Sequence, residues 1–358
     1  MNKNKIGIWL ISMAILFQST VSAGAVQQPT VILNGANLPE WKATISSYGG
    51  KLLLSDSPET VPDDGIMYQD TVNGDNRLFF HHVNGTSTPK KIVVLLENIT
   101  DKPAHVTVYK YGLGGPSYDF LEVGKKVQLD YIEGKDAYLL DVPTKESISL
   151  IPSLDHAVVE PNMLVNGMYD FTTDQPVKVK VMMMPVDADV YNFAASAKVL
   201  PADVAQYRLR GTFDGKDRLV IPDKVYDATQ DGVVAFTLAD NAIDTYVKGI
   251  DATDGTKTTN YGNYGILYKI YVPSMAKGEM SYYLNPRGGE YAGWLGTKYR
   301  HQEVATIATP ADQMSFGSKV IGESAYIGTY EGGKSLWLTF SPPGASNLPI
   351  KFIIKPSK

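Results

Sequence analysis

The chain has 358 residues, 44% hydrophobic and 20% charged, with 22 tyrosines, no cysteine and a formal charge of −5. That profile is globular, and the missing thiols exclude disulfides, thiolate catalysis, Cys-ligated zinc and iron–sulfur clusters together. The mildly acidic, mixed charge gives no electrostatic footprint for nucleic acid or anionic lipid. Two domains are the better expectation at this length, each large enough to bury a core without a staple.

Lys3 and Lys5 precede an apolar run from Ile6 to Phe17, followed by the small residues Val21-Ser22-Ala23-Gly24-Ala25. This is the pattern of a secretory signal over residues 1–25, with cleavage after Ala23 or Ala25. The run is shorter than the roughly 20 residues a membrane span needs, and no later segment has that length. The expectation is a mature protein that is secreted or held in the cell envelope, with no membrane insertion after cleavage.

Beyond Ala25 most short runs alternate with period two between Gly, Pro, Asn and Asp punctuation. Ile92 to Leu96 is continuously apolar and predicts a central strand covered on both faces. Val106 and Val108 alternate with His105, Thr107 and Tyr109. Val177, Val179, Val181 and Met183 line one strand face, with Lys178 and Lys180 opposite until Met182 and Met184 join the apolar side. Leu336, Leu338 and Phe340, then Ile350, Phe352 and Ile354, repeat the alternation near the C-terminus. With turn signals such as Asn84-Gly85, Asp214-Gly215 and Asp254-Gly255, the pattern predicts an all-β fold of two packed antiparallel β-sandwich domains, Ig-like or jelly-roll-like. The best helix candidate is Asp187 to Leu200, capped by Asp187 or Asp189 and stopped by Pro201. The expected division is therefore 28–186, a short helical connector at 187–206, and 207–358.

Candidate chemistry is sparse. The five histidines are His81, His82, His105, His156 and His301. His81 and His82 are adjacent in a predicted strand and should point to opposite faces. No His-x-His or His-Glu-x-x-His occurs, so no metal site and no cofactor are assigned; hydrogen-bonded strand histidines account for the same residues. The loop Asp251-Ala252-Thr253-Asp254-Gly255-Thr256 offers hard oxygen ligands for calcium, and equally makes a plain hairpin loop. No Gly-x-Ser-x-Gly elbow is present. Acid pairs such as Asp63-Asp64 leave a carboxylate-pair glycosidase open without selecting a pair.

The most informative region runs from Tyr261 to Tyr299 and holds eight of the 22 tyrosines plus Trp294. Tyrosine offers a flat apolar ring with a polar tip at little entropic cost, suited to stacking on sugars or gripping a protein. The candidate binding residues are Tyr261, Tyr264, Tyr282, Tyr283, Arg287, Tyr291 and Trp294, with Arg287 as a planar five-donor fork. Strand propensity and loop pinning explain the same residues without a ligand.

Several short stretches carry a resemblance: Arg77-Leu78-Phe79-Phe80-His81-His82-Val83-Asn84-Gly85-Thr86, Gly112-Leu113-Gly114-Gly115-Pro116-Ser117, Asn166-Gly167-Met168-Tyr169-Asp170, Arg210-Gly211-Thr212-Phe213, Asn263-Tyr264-Gly265 and Asn285-Pro286-Arg287-Gly288-Gly289. In these the chain resembles a group of secreted bacterial proteins labelled through an accompanying copper amine oxidase N-terminal-type (stalk) domain. The oxidase core itself is not matched. Its cofactor tyrosine sits in Thr-x-x-Asn-Tyr-(Asp/Glu), whereas Asn260-Tyr261 has Lys257 at the Thr position and Gly262 after it.

The sequence therefore predicts a non-catalytic binding protein outside the cytoplasm, recognising a polysaccharide or a surface protein through the Tyr-rich region. The alternatives are a glycan-acting hydrolase with two carboxylates and a structural part of a surface assembly.

Overall fold

The computed structural model describes residues 28–134, 137–276, 278–320 and 322–357, so the export segment expected in residues 1–25 lies outside the described residues. The described chain forms an eleven-stranded, a six-stranded and a five-stranded sheet, mostly antiparallel and packed as sandwiches. The expected all-β architecture is what these sheets build. Among the described residues no helix is long and apolar enough to cross a membrane.

Two long strands, Gly65–Asn84 and Leu164–Pro185, organise the first part of the chain and pair antiparallel from Val83 opposite Leu164 to Gly65 opposite Met183. The second strand changes partner along its other edge. Residues 164–173 pair with Ala104–Ser117, and residues 177–185 with Lys90–Asn98. Register shifts on either side of this handover bend the strands. Ile92 to Leu96 is buried throughout and paired on both edges, as its unbroken apolar run requires.

The segment 187–206 does contain a short helix, α2 (Val190–Ser196), capped by the Asp189 side chain on Asn192 N. It does not mark a break in strand pairing. Ala43–Tyr48 pairs with Asp217–Pro222, and Lys51–Asp56 lies between Leu209–Asp214 and Gly65–Asn84. Val31–Ile32 pairs with Ser324 and Glu323 of the strand Glu323–Glu331. The first thirty described residues thus bind strands from beyond residue 207, and the halves are stitched together by backbone hydrogen bonds.

The stitched wall is buried on both faces. Leu52, Leu54, Phe79 and Met168 join the core between the five- and six-stranded sheets, with Phe236, Tyr268, Leu284, Phe340 and Phe352. Leu53, Leu78, Phe80 and Val165 point the other way, into a second core with Ile92, Val94, Val179 and Val181. Strand periodicity sends alternate side chains to the two cores, and each buried Leu or Phe contributes about 1.5–3 kcal/mol.

A second helix, α1 (Phe120–Glu133), was not among the expected elements. Its start is an N-cap, with Asp119 accepting from Glu122 N while its own N–H goes to Ser117 Oγ, and its apolar stripe Val123, Val127, Tyr131 has helical spacing. The helix lies directly on the strand Ala104–Ser117 because glycine lets the backbones touch. A Cβ on Gly112 would stand 2.2 Å from Val127 O, and one on Gly114 2.5 Å from Val123 O. Gly124 of the helix makes the same close approach to Gly344 O on its other side.

Candidate functional site

The seven Tyr-rich candidates do not share one surface. Tyr282 and Tyr291 are buried, 2% and 0% exposed, the first packed against Tyr330 and the second edge-on to Phe316. Tyr264 packs on Phe79 and donates its hydroxyl to Ser346 O at 2.7 Å, and burial raises its pKa. Tyr283 sits half-buried on the opposite face of the strand Glu279–Pro286, edge-on to Tyr326. Arg287 donates to Asn34 Oδ1 at 3.2 Å, so it pins an N-terminal loop. Tyr261 is 39% exposed but stands apart, against Tyr246. Strand alternation explains the dispersal, since neighbours in sequence face opposite ways.

Trp294 alone of the seven lines an open groove, about 550 Å³ in volume. The groove follows the seam where the hairpin Gly293–Tyr299 and Ala305–Thr309, at the edge of the six-stranded sheet, meets the strand Glu323–Glu331 of the five-stranded sheet. Its aromatic walls are Trp294, Tyr299, Tyr326 and Tyr330, its polar rim is Gln302, Glu303, Thr306 and Thr329, and the buried Thr297 lies beneath them. Tyr299 and Tyr330 have ring centroids 5.0 Å apart, and Tyr330 leans on Tyr282, which ties the wall to the core. Gly328 sits opposite the register shift at Tyr282/Tyr283, and a Cβ there would lie 2.8 Å from the Tyr330 ring. The glycine therefore lets that ring lie flat against the strand. Tyr326 OH donates to Thr329 Oγ1, which is also bonded to Ser281 Oγ, so the hydroxyls are held in a chain. Tyr326 and Tyr330 lie outside the Tyr261–Tyr299 region; only pairing of 279–286 with 323–331 brings them there.

The remaining candidates are occupied by the fold. His81 and His82 do point to opposite faces. His82 Nε2 lies 2.7 Å from Ser55 Oγ and its Nδ1 2.9 Å from Pro58 O, so Nδ1 donates and Nε2 accepts. This serine–histidine pair is wholly buried, and desolvation pushes the imidazole down to about 3. His81 Nδ1 is 3.1 Å from Asp56 Oδ1, and burial raises Asp56 to about 6 despite His81. His105 pairs with Asp141 on the surface, and His156 and His301 are exposed elsewhere. Among the described residues no group of three His, Cys, Asp or Glu side chains is arranged to hold a metal. In the Asp251 loop two guanidiniums take the place a cation would need. Asp251 Oδ2 accepts from Arg210 Nε at 2.7 Å and Arg208 Nη2 at 2.9 Å, and Asp254 also pairs with Arg208.

No family model matches the chain, and no curated relative matches it. Solved structures offer only faint likenesses. Oxalate decarboxylase from Lactobacillus farciminis is 9% identical with a TM-score of 0.14, covering 87% of each chain. The 7S globulin of Momordica charantia is 7% identical with a TM-score of 0.13, covering 81% of this chain and 79% of that one. The Macrobrachium rosenbergii nodavirus structure is 12% identical with a TM-score of 0.15, covering 99% and 97%. Likeness this low carries no argument, so function rests on the chain's own geometry.

The strongest electrostatic feature is interior. Arg77, fully buried, grips Asp170 with Nε at 2.6 Å and Nη2 at 2.9 Å, and gives Nη1 to Lys216 O and Gly265 O. Tyr131 OH of α1 and Lys216 Nζ also reach Asp170 Oδ2, at 2.9 and 3.2 Å. Burial pushes the Asp170 carboxyl up, but the Arg77 guanidinium outweighs it and the carboxyl ends below its ordinary value. This network joins the two long strands, α1 and the turn before Asp217. It is a structural lock, closed to solvent.

Proposed function

We propose that the chain is an exported, non-catalytic binding protein whose seam groove holds a segment of neutral polysaccharide. The observation that carries this reading is the open groove walled by Trp294, Tyr299, Tyr326 and Tyr330 and rimmed by hydroxyl and amide groups. Sugar rings present flat C–H faces and a hydroxyl edge; aromatic rings take the first and Thr, Gln and Glu side chains the second. Tyr330 is fixed by Tyr282 and Gly328, so little side-chain entropy is lost on binding. Export is supported by the basic, apolar and small-residue sequence of residues 1–25 and by the resemblance to secreted proteins.

A hydrolase that works with two carboxyl groups needs them about 5–10 Å apart across the scissile bond. Glu303 is the one carboxylate lining the groove among the described residues, which supports binding over hydrolysis. Affinity electrophoresis against soluble neutral glucans, mannans and xylans tests the reading. A mobility shift with one of these, lost in Trp294→Ala/Tyr326→Ala with the fold intact, supports it. An unshifted wild-type protein across the panel, or a shift the double variant keeps, contradicts it.

A further inference from the structure

The outer face of the six-stranded sheet carries a second trough, also about 550 Å³, lined by Tyr48, Lys269, Lys298, His301, Trp337 and Thr339. The pairing register builds it. Lys298 stands opposite Trp337, Trp337 opposite Tyr271, and the row Gly296, Thr339, Lys269, Leu219 forms the floor between them. The trough ends where Ile132 of α1 and Val304 close over Gly296. The loop 301–304 is a ridge between the two grooves, with His301 and Val304 lining this trough and Gln302 and Glu303 lining the seam.

Its charge is one-sided. Lys90, Lys180 and Lys216 each hold a carboxylate at 2.7–2.9 Å. Among the described residues Lys269, Lys298 and the neighbouring Lys110 have none at ion-pair distance. Lys269 Nζ has only the neutral Thr339 Oγ1 at 3.1 Å, and Lys110 Nζ lies over the Tyr131 ring at 4.6 Å. Asp217, whose charge acts on both lysines, is itself paired with Arg77 at 2.9 Å. Partial burial holds Lys110 down to about 8, and Lys269 adds to that depression. Ammonium groups that are desolvated without an acid partner gain most from a ligand carboxylate.

We propose that this trough binds an anionic polysaccharide of the polyuronate type, its carboxylates meeting Lys269 and Lys298 and its rings lying on Trp337 and Tyr48. The cations are spread out, with Lys110 and Lys269 half-buried at the inner side and Lys298 and His301 exposed at the rim. Lys269 and Lys298 stand two strand spacings apart, about 10 Å across the sheet. That distribution fits single negative charges repeated along a polymer rather than one compact anion. The aromatic faces fit pyranose rings rather than a bare phosphate. This site is separate from the seam groove and stands or falls independently of it.

Isothermal titration of the protein with polygalacturonate, with its methyl-esterified form and with inorganic phosphate tests the assignment. Polygalacturonate should bind, and the esterified polymer, with the same backbone and no charge, at least about tenfold more weakly. Lys269→Gln/Lys298→Gln should lose about tenfold in affinity while its melting temperature holds, and the exposed Lys298→Gln alone, which cannot disturb the core, should lose a smaller part. Trp294→Ala/Tyr326→Ala should keep full affinity, which separates this site from the seam. Equal binding of the esterified polymer, unchanged affinity in both lysine variants, or displacement of polygalacturonate by equimolar phosphate would overturn it.

Discussion

Asp170→Asn is the perturbation that bears most directly on how the two parts of the chain are locked. The Asp170 carboxylate accepts from Arg77 Nε and Nη2, Tyr131 OH and Lys216 Nζ, all within 3.2 Å. An asparagine keeps the shape but offers one acceptor oxygen and turns an NH₂ toward those donors. Arg77, 0% exposed, then keeps the carbonyls of Lys216 and Gly265, Tyr131 OH and the Asp217 carboxylate at 2.9 Å, but loses both charged hydrogen bonds to Asp170. Breaking a buried pair by removing one partner costs about 3–5 kcal/mol, and the loss of two charged hydrogen bonds at about 1.5–3 kcal/mol each gives the same range. The expected fall in melting temperature is on the order of 5–10 °C. Urea unfolding followed by circular dichroism measures the free energy. Arg77→Met/Asp170→Asn should be less destabilised than the sum of its single variants by more than about 1 kcal/mol, because removing both charges leaves no orphan between them. A single-variant loss below about 1 kcal/mol, or additivity within about 0.5 kcal/mol, would refute the lock.

Gly114→Ala should cost about 1–3 kcal/mol by pushing α1 off its strand, since the added Cβ would meet Val123 O at 2.5 Å; an unchanged urea midpoint would contradict the close seating. Adjacent histidines should show opposite pH signatures. His82 is held down to about 3, so its contribution is lost as pH falls below the unfolded value near 6.5, and the advantage of wild type over His82→Asn should shrink between pH 7 and 4. His81 is shifted up by Asp56 against the effect of burial, so its contribution is present at low pH and lost as pH rises through the folded value, and the advantage over His81→Gln should shrink on going from pH 6 to 8. Millimolar calcium or a chelator should move the melting temperature by less than about 1 °C, because Arg208 and Arg210 already neutralise Asp251; a calcium-dependent rise would show the loop to be a metal site.

Much of the architecture was legible because strand period and core exposure coincide. Ile92 to Leu96 announces a doubly covered strand by its unbroken apolar run, and Val177 to Met184 shows where a half-exposed strand becomes a central one. Helix α1 was missed: Asp119-x-x-Glu122 and the stripe Val123, Val127, Tyr131 are its signals, but Gly124 and the β-branched residues blur that period. Gly112 and Gly114 have no visible role within their own strand; they admit the backbone of the helix that follows and folds back onto it. The division at 187–206 misses the long-range pairing of 43–56 with 209–222, which no local pattern encodes. Tyrosine density along the chain is likewise a poor guide to a surface. Consecutive strand residues separate Tyr282 from Tyr283, while Tyr326 and Tyr330 reach the Trp294 groove from another strand.

The central claim is that the seam groove is a sugar-binding surface. Its most direct measurement is tryptophan and tyrosine difference absorbance during titration with the glycan selected by affinity electrophoresis, in wild type and in Tyr326→Ala. Saturable perturbation in wild type, with affinity lost about tenfold or more in the variant, is the expected result, as stacking of one ring contributes on the order of 1–2 kcal/mol. A saturable signal of the same affinity in both proteins would place the ligand elsewhere and contradict the account.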